Sequence, residues 1–249
     1  MGACVSFNHK SINKIHEQKL QRSHNHTFPF NSVFELRVYR LRPGTSLQTQ
    51  LSGTCFSLRT FGLSEADCVV TAAHNFISSK DEVNFGPVEK LEILLNNEKF
   101  VVLDPSVGDF FVHQQYDPEQ PCSPYDIAVV RFSAFSSPGH LKLSTVLEGR
   151  SLTLSKKGAL AGDLIRIIGK ALHCTGVLHP LHENGTMILQ QPQAGGSSGG
   201  PWLDTNNSVV AVHTGGIGFM AHTQKYESVA SKGARLDKVV LNATHVFDF

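Results

Sequence analysis

From Ser32 onward the chain is broken every few residues, with short apolar runs alternating with Gly, Pro, Asn and Asp. The runs VFELRVYRL, GTCFSL, CVVTAAH, LEILL, KFVVL, DIAVVRF, LIRIIGK, TMILQ and SVVAVH follow one another, and many of their residues are β-branched. Segments this short and this branched suit a pleated, half-buried strand better than a helix. The pattern limits the chain to an all-β fold, a sandwich or a barrel. Helix is expected only in a short turn after His74 and in a segment at Leu236 to Leu241. The Pro and Gly of SSPGH, Ser136 to His140, mark a crossing between two halves. Each half has about six strands, which suits two antiparallel barrels. The first is expected at about 31–135 and the second at about 141–249.

Composition narrows the function. A chain of 249 residues, 41% hydrophobic, buries a sizeable core. A formal net charge of +1 argues against bulk nucleic-acid binding, which carries a basic excess. The 13 histidines are scattered from His9 to His245, and the pairs His24/His26 and His179/His182 read as loop histidines. No metal or organic cofactor is therefore expected. No window reaches the apolar length of a membrane span, and residues 1–30 lack the continuous apolar core of a secretory signal. Cys4, Cys55, Cys68, Cys122 and Cys174 are too few and too irregular for a disulfide framework. The expectation is an intracellular, cytoplasmic protein with reduced thiols, acting as a monomer. On that reading the glycosylation triplets at Asn25, Asn184, Asn206 and Asn242 are chance matches.

Three motifs stand in order. VVTAAH ends in His74, YDIAVVRF carries Asp126, and GSSGGP carries Ser197 and Ser198. Each lies at the edge of an apolar strand, where a rigid scaffold can aim a side chain into a cleft. A serine hydroxyl is a poor nucleophile at neutral pH. It needs a base within hydrogen-bond reach, and the base needs an acid to fix its tautomer and stabilise its charged form. Taken singly, each motif has a plain structural reading: a packed His, a turn Asp, a Gly/Ser linker. A linker, however, would not be flanked by Pro192 and by PWLD with strands on both sides.

Together the three blocks resemble the His, Asp and Ser motifs of the chymotrypsin-like (trypsin-fold) serine peptidases, in that family's chain order, over residues 32–249. The resemblance implies an endopeptidase with its active site between two barrels, working on protein or peptide substrates through an acyl-enzyme. It implies catalytic roles for His74, Asp126 and Ser198, with Ser198 filling the nucleophile position of Gly-x-Ser-Gly-Gly-Pro and Ser197 acting as a spacer. The N–H groups of Gly196 and Ser198 would then hold the oxyanion. The alternative is a protease-fold binding module without turnover.

Some features of the digestive enzymes are missing. Ser197 stands where an activating Asp would precede the nucleophile, Asn75 where a cysteine would follow the His, and Pro192 where an acidic pocket base would lie. GTCFSL and VVAVHTGG are more similar to the glutamyl-endopeptidase branch. That likeness implies His213, Gln193 and Gly215 as substrate-binding residues and an acidic residue, or failing that Gln, before the cleaved bond.

The polar residues 1–30 show no sustained period and read as a flexible arm. It opens with MGACVS, in which Gly2 and Ser6 fit the myristoylation pattern and Cys4 is available for a second acyl chain. With Lys10, Lys14, Lys19 and Arg22 this predicts peripheral association with the cytoplasmic face of a membrane.

Overall fold

The computed structural model describes residues 18–19, 27–41, 48–59, 68–77, 88–95, 98–102, 110–120, 123–131, 143, 145, 147, 149–169, 172–179, 186–193, 195–220 and 226–236. They form two sheets. The first contains β2 (Val33–Leu41), β3 (Gln48–Arg59), β4 (Cys68–Thr71), β5 (Val88–Leu95), β6 (Glu98–Val102), β7 (Phe110–Val112), β8 (Ala128–Arg131) and β9 (Leu152–Thr153). The second contains β1 (Gln18–Lys19), β10 (Leu164–Ile168), β11 (Leu172–Val177), β12 (Met187–Leu189), β13 (Pro201–Leu203), β14 (Val209–Met220) and β15 (Tyr226–Arg235). Strand order is β6-β5-β2-β3-β4-β8-β7 in the first sheet and β1-β11-β10-β13-β14-β15-β12 in the second. Apart from β9, which runs parallel to β3, every named pairing is antiparallel.

The alternation read in VFELRVYRL is the alternation of β2, which buries Phe34, Leu36, Val38 and Arg40 and leaves the residues between them half-exposed. β2 is paired along its whole length with β3, from Val33↔Phe56 to Leu41↔Gln48. The run CVVT shows no alternation because all four residues of β4 are buried. Val69 faces the first sheet's own core with Phe34 and Ile93, while Val70 faces a second core with Phe56 and Ile127. That second core also takes Ile168, Leu203, Val209 and Val212 from the other sheet, so the two sheets share it. A third core, around Trp202 with Ile165, Ile167 and Met187, belongs to the second sheet alone.

The all-β architecture of two antiparallel barrel-like sheets is as the sequence leads one to expect. β7, β9, β11, β13 and β15 are additions to the runs read there. β9, although it follows the expected crossing, pairs with β3 of the first sheet, and β1 of the arm pairs with β11 of the second. The turn after His74 is a single 3-10 turn, Ala73–Asn75. The SSPGH crossing and the chain beyond Leu236 lie outside the described residues. Cys55, Cys68 and Cys174 are buried thiols outside any disulfide, and burial pushes the Cys55 pKa well up. No helix among the described residues is long and apolar enough to cross a membrane.

Candidate active site

His74 sits where β4 ends and the chain enters the 3-10 turn. Asp126 sits two residues before β8. Because β4 and β8 are paired from Thr71↔Ala128 to Cys68↔Arg131, the ladder itself brings these two positions together. Asp126 holds His74 at two points. The main-chain N–H of His74 donates to Oδ1 at 2.9 Å, and Nδ1 of the ring lies 2.7 Å from Oδ2. The Asp126 side chain is 9% exposed and the imidazole 34%. A carboxylate on Nδ1 favours the tautomer with its proton there, leaving Nε2 as the acceptor. Nearby, His113 stacks on Tyr125 with ring centroids 4.7 Å apart, and burial lowers the His113 pKa.

The serine loop connects β12 to β13 and is fastened to both sheets. Thr54 on β3 grips it twice, its N–H donating to the Ser198 carbonyl at 2.8 Å and its hydroxyl to the Gly196 carbonyl at 2.8 Å. The Thr54 carbonyl in turn accepts from the Thr71 hydroxyl at 2.7 Å. Asn75, the residue after His74, donates through Nδ2 to the Thr71 hydroxyl at 2.9 Å and lies 3.4 Å from the Ser198 carbonyl. On the other side Gly199 N–H donates to the His213 carbonyl at 2.7 Å, and His213 N–H donates to the Gly200 carbonyl at 2.8 Å. These bonds set the Ser198 loop against the His74 turn. Among the described residues the Ser198 hydroxyl is not bonded to the imidazole, a contact that in enzymes without substrate is often loose and tightens on binding.

The two serines of the loop differ in environment. Ser197 is buried, its hydroxyl against Gly169, where an added Cβ would lie only 2.5 Å from Oγ. Ser198 is half-exposed. Gly196 adopts φ +82°, a conformation open to glycine, and Thr54 fixes its carbonyl and with it the Gly196–Ser197 peptide, which lies between the two expected oxyanion donors.

His213 lies on β14, buried, with Trp202 Nε1 donating to its Nδ1 at 3.4 Å. Burial, followed by the charges of His74 and Lys232, pushes its pKa down to about 3, so the ring is neutral at neutral pH. With Nδ1 accepting, the remaining proton sits on Nε2 and makes that atom a donor. Gly215, at φ +146°, is crossed by the Lys232 side chain, whose Cε would be 3.1 Å from an added Cβ. Ser231 Oγ donates to the Gln191 carbonyl at 2.6 Å and so ties β15 to the segment containing the half-buried Gln193. Gly2 and Cys4 lie outside the described residues, as does His182, whereas His179 is within 3.1 Å of Gln190 Oε1. Thr54, Trp202 and Lys232 carry no signal in the sequence, and Asn75 stands out there only for the cysteine it replaces. Their roles depend on cross-strand neighbours that no local motif encodes.

No protein-family model and no curated protein sequence matches the chain. Solved structures do. The protease Anisep from Arthrobacter nicotinovorans aligns with a TM-score of 0.59 at 14% identity, over 89% of this chain and 96% of that one. A Glu endopeptidase in complex with MPD gives a TM-score of 0.57 at 15% identity, over 92% and 95%. The HtrA-type protease AlgW with a tripeptide gives 0.56 at 14% identity, over 89% of this chain and 61% of that one. At such identities the likeness is one of fold: this chain has the two-barrel architecture of the chymotrypsin-like serine proteases.

Proposed function

We propose that the protein is a serine endopeptidase with His74, Asp126 and Ser198 as its triad. The observation that carries this reading is the two-point hold of Asp126 on His74 beside a loop that buries Ser197 and leaves Ser198 accessible. Ser198 Oγ attacks the peptide carbonyl carbon while its proton passes to His74 Nε2. The tetrahedral oxyanion is received by the N–H groups of Gly196 and Ser198. As the C–N bond breaks, His74 returns the proton to the leaving amine, and an acyl-Ser198 ester remains. Water, deprotonated by His74, repeats the sequence and releases the acid. Asp126 stays ionised throughout and stabilises the imidazolium.

The pocket reading is a preference for an acidic residue, or failing that Gln, before the cleaved bond. It is supported by the neutral His213 as a donor, by the nearby Lys232 charge, and by Pro192 in place of an acidic base. The cellular setting proposed is the cytoplasmic face of a membrane, with Gly2 and Cys4 as acylation sites. A fluorophosphonate probe tests the central reading. Labelling at Ser198, lost in Ser198→Ala and retained in Ser197→Ala, is expected. Absence of labelling in the native chain would make it a protease-fold binding module instead. A peptide library then reads the pocket, and a clear preference for Arg or Lys would exclude it.

A further inference from the structure

Away from the catalytic cleft, the turn leading into β10 reads Ser-Lys-Lys-Gly-Ala-Leu-Ala-Gly-Asp-Leu from Ser155 to Leu164. It is tied down at its base: Gly162 N–H donates to the Leu178 carbonyl at 2.8 Å, and Leu178 N–H donates to the Asp163 carbonyl at 2.9 Å. This holds Leu160 outward, 72% exposed, close to Leu164 at 51% and Val177 at 53%, which are direct cross-strand partners on β10 and β11. Burying such side chains in a folded chain would be favourable, so three exposed together call for a partner.

The same face is basic. A groove of about 720 Å³ runs beside the turn and is lined by Arg59, Lys156 and Lys157 together with Leu160 and Leu164. Arg166, two residues after Leu164 on β10, lies on the same side of the sheet. The groove also contains Asp163 and Asp204, whose carboxylates take part in local hydrogen bonds and leave the cations of the lining in excess by three to two. Asp163 Oδ2 accepts from Leu160 N–H, and Asp204 accepts from Asn206 N–H, Ser208 N–H and the Ser155 hydroxyl. None of the residues of the candidate active site lines this groove.

We propose that this face seats the folded domain on an anionic lipid leaflet, with Leu160, Leu164 and Val177 entering the headgroup layer and Lys156 and Lys157 meeting lipid phosphates and carboxylates. The chemistry favours lipid over a peptide. The apolar side chains project outward, the turn between Leu160 and Leu164 is Ala161, Gly162 and Asp163 with no side-chain donor, and lysines act as undirected point charges. The contact does not depend on the endopeptidase reading or on acylation of Gly2.

The test uses the full chain carrying Gly2→Ala, so that no acyl chain contributes, and vesicles of phosphatidylcholine with and without phosphatidylserine. Co-sedimentation only with phosphatidylserine, weakening as salt is raised, is expected. Lys156→Glu/Lys157→Glu should lower the partition coefficient by at least about thirtyfold, at about fivefold per lysine. Leu160→Trp should show an emission blue shift on phosphatidylserine vesicles, against the constant background of the sole native tryptophan, the buried Trp202. No blue shift would overturn the proposal, and this readout decides even if the double variant folds poorly. Unchanged binding of a folded double variant would overturn it too, leaving the arm from Lys10 to Arg22 as the attachment. Capture of poly-glutamate without vesicle binding would make the face a peptide site and also overturn it.

Discussion

His74 leans on both oxygens of one carboxylate, so Asp126→Asn cannot be a silent change. An amide offers one acceptor where the native residue offers two, and its NH2 group would face either the His74 main-chain N–H or the Nδ1 proton. On the proposed mechanism kcat falls by about four orders of magnitude while the fold is kept, since the β4–β8 ladder is untouched. Circular dichroism and burst kinetics on a fluorogenic peptide check the two halves of that statement. His213 gives a second prediction at this scale. Its folded pKa of about 3 lies below the ordinary 6.5, so between those values the unfolded chain takes up a proton that the folded chain refuses. Stability is therefore fully present above the unfolded pKa and is lost as pH falls toward the folded one, by about 1.4 kcal/mol per pH unit from this group. Urea unfolding of the native protein and His213→Gln should diverge in pH slope by that amount below 6.5. Parallel slopes would mean that His213 protonates freely in the folded state.

Among the elements, the serine loop depends on two residues of the opposite sheet's β3 and β4. Gly199, at φ +90°, passes so close to β3 and β4 that an added Cβ would lie 2.1 Å from both the Thr54 carbonyl oxygen and the Thr71 hydroxyl. A ladder carbonyl cannot retreat. Gly199→Ala is expected to cost about 3 kcal/mol or more, from overpacking combined with backbone strain, and to lower the thermal midpoint accordingly. Thr54→Val is the gentler test. It keeps the shape and the N–H bond to the Ser198 carbonyl, but removes the hydroxyl that holds the Gly196–Ser197 peptide. Stability should fall by about 1 kcal/mol. The kcat should fall further than that loss alone implies, because the peptide linking the two proposed oxyanion donors loses its anchor. If kcat stays at the native value, Gly196 is positioned by something other than Thr54.

At the scale of the whole molecule, the shared core makes the two sheets one folding unit. Phe56, fully buried, packs in the cluster that holds Val70 and Ile127 of one sheet with Leu203 and Val212 of the other. Phe56→Ala should cost about 3 to 5 kcal/mol and lower the unfolding midpoints of both sheets together. Two separate transitions in calorimetry would show the sheets to be independent. The sequence by itself determined β2, β3, β4, β5, β6, β8, β10, β12 and β14, because a half-buried strand such as β2 must alternate and a doubly buried one such as β4 must not. It also marked His74, Asp126 and the pair Ser197 and Ser198 as candidates, because nucleophile chemistry restricts residue type and the flanking Gly and Pro restrict the backbone. It could not rank Ser197 against Ser198 without the family resemblance, since the hydroxyls are chemically alike and only packing on Gly169 separates them. Nor could it find β9 crossing to the first sheet, or Thr54 and Asn75 fastening the serine loop. The Thr54–Ser198 and Asn75–Ser198 contacts join residues more than a hundred positions apart, and such pairs meet only once the strand ladders have closed. The neutral state of His213 was decided in the same way, by the burial that Trp202 and the surrounding sheet impose on an otherwise ordinary histidine.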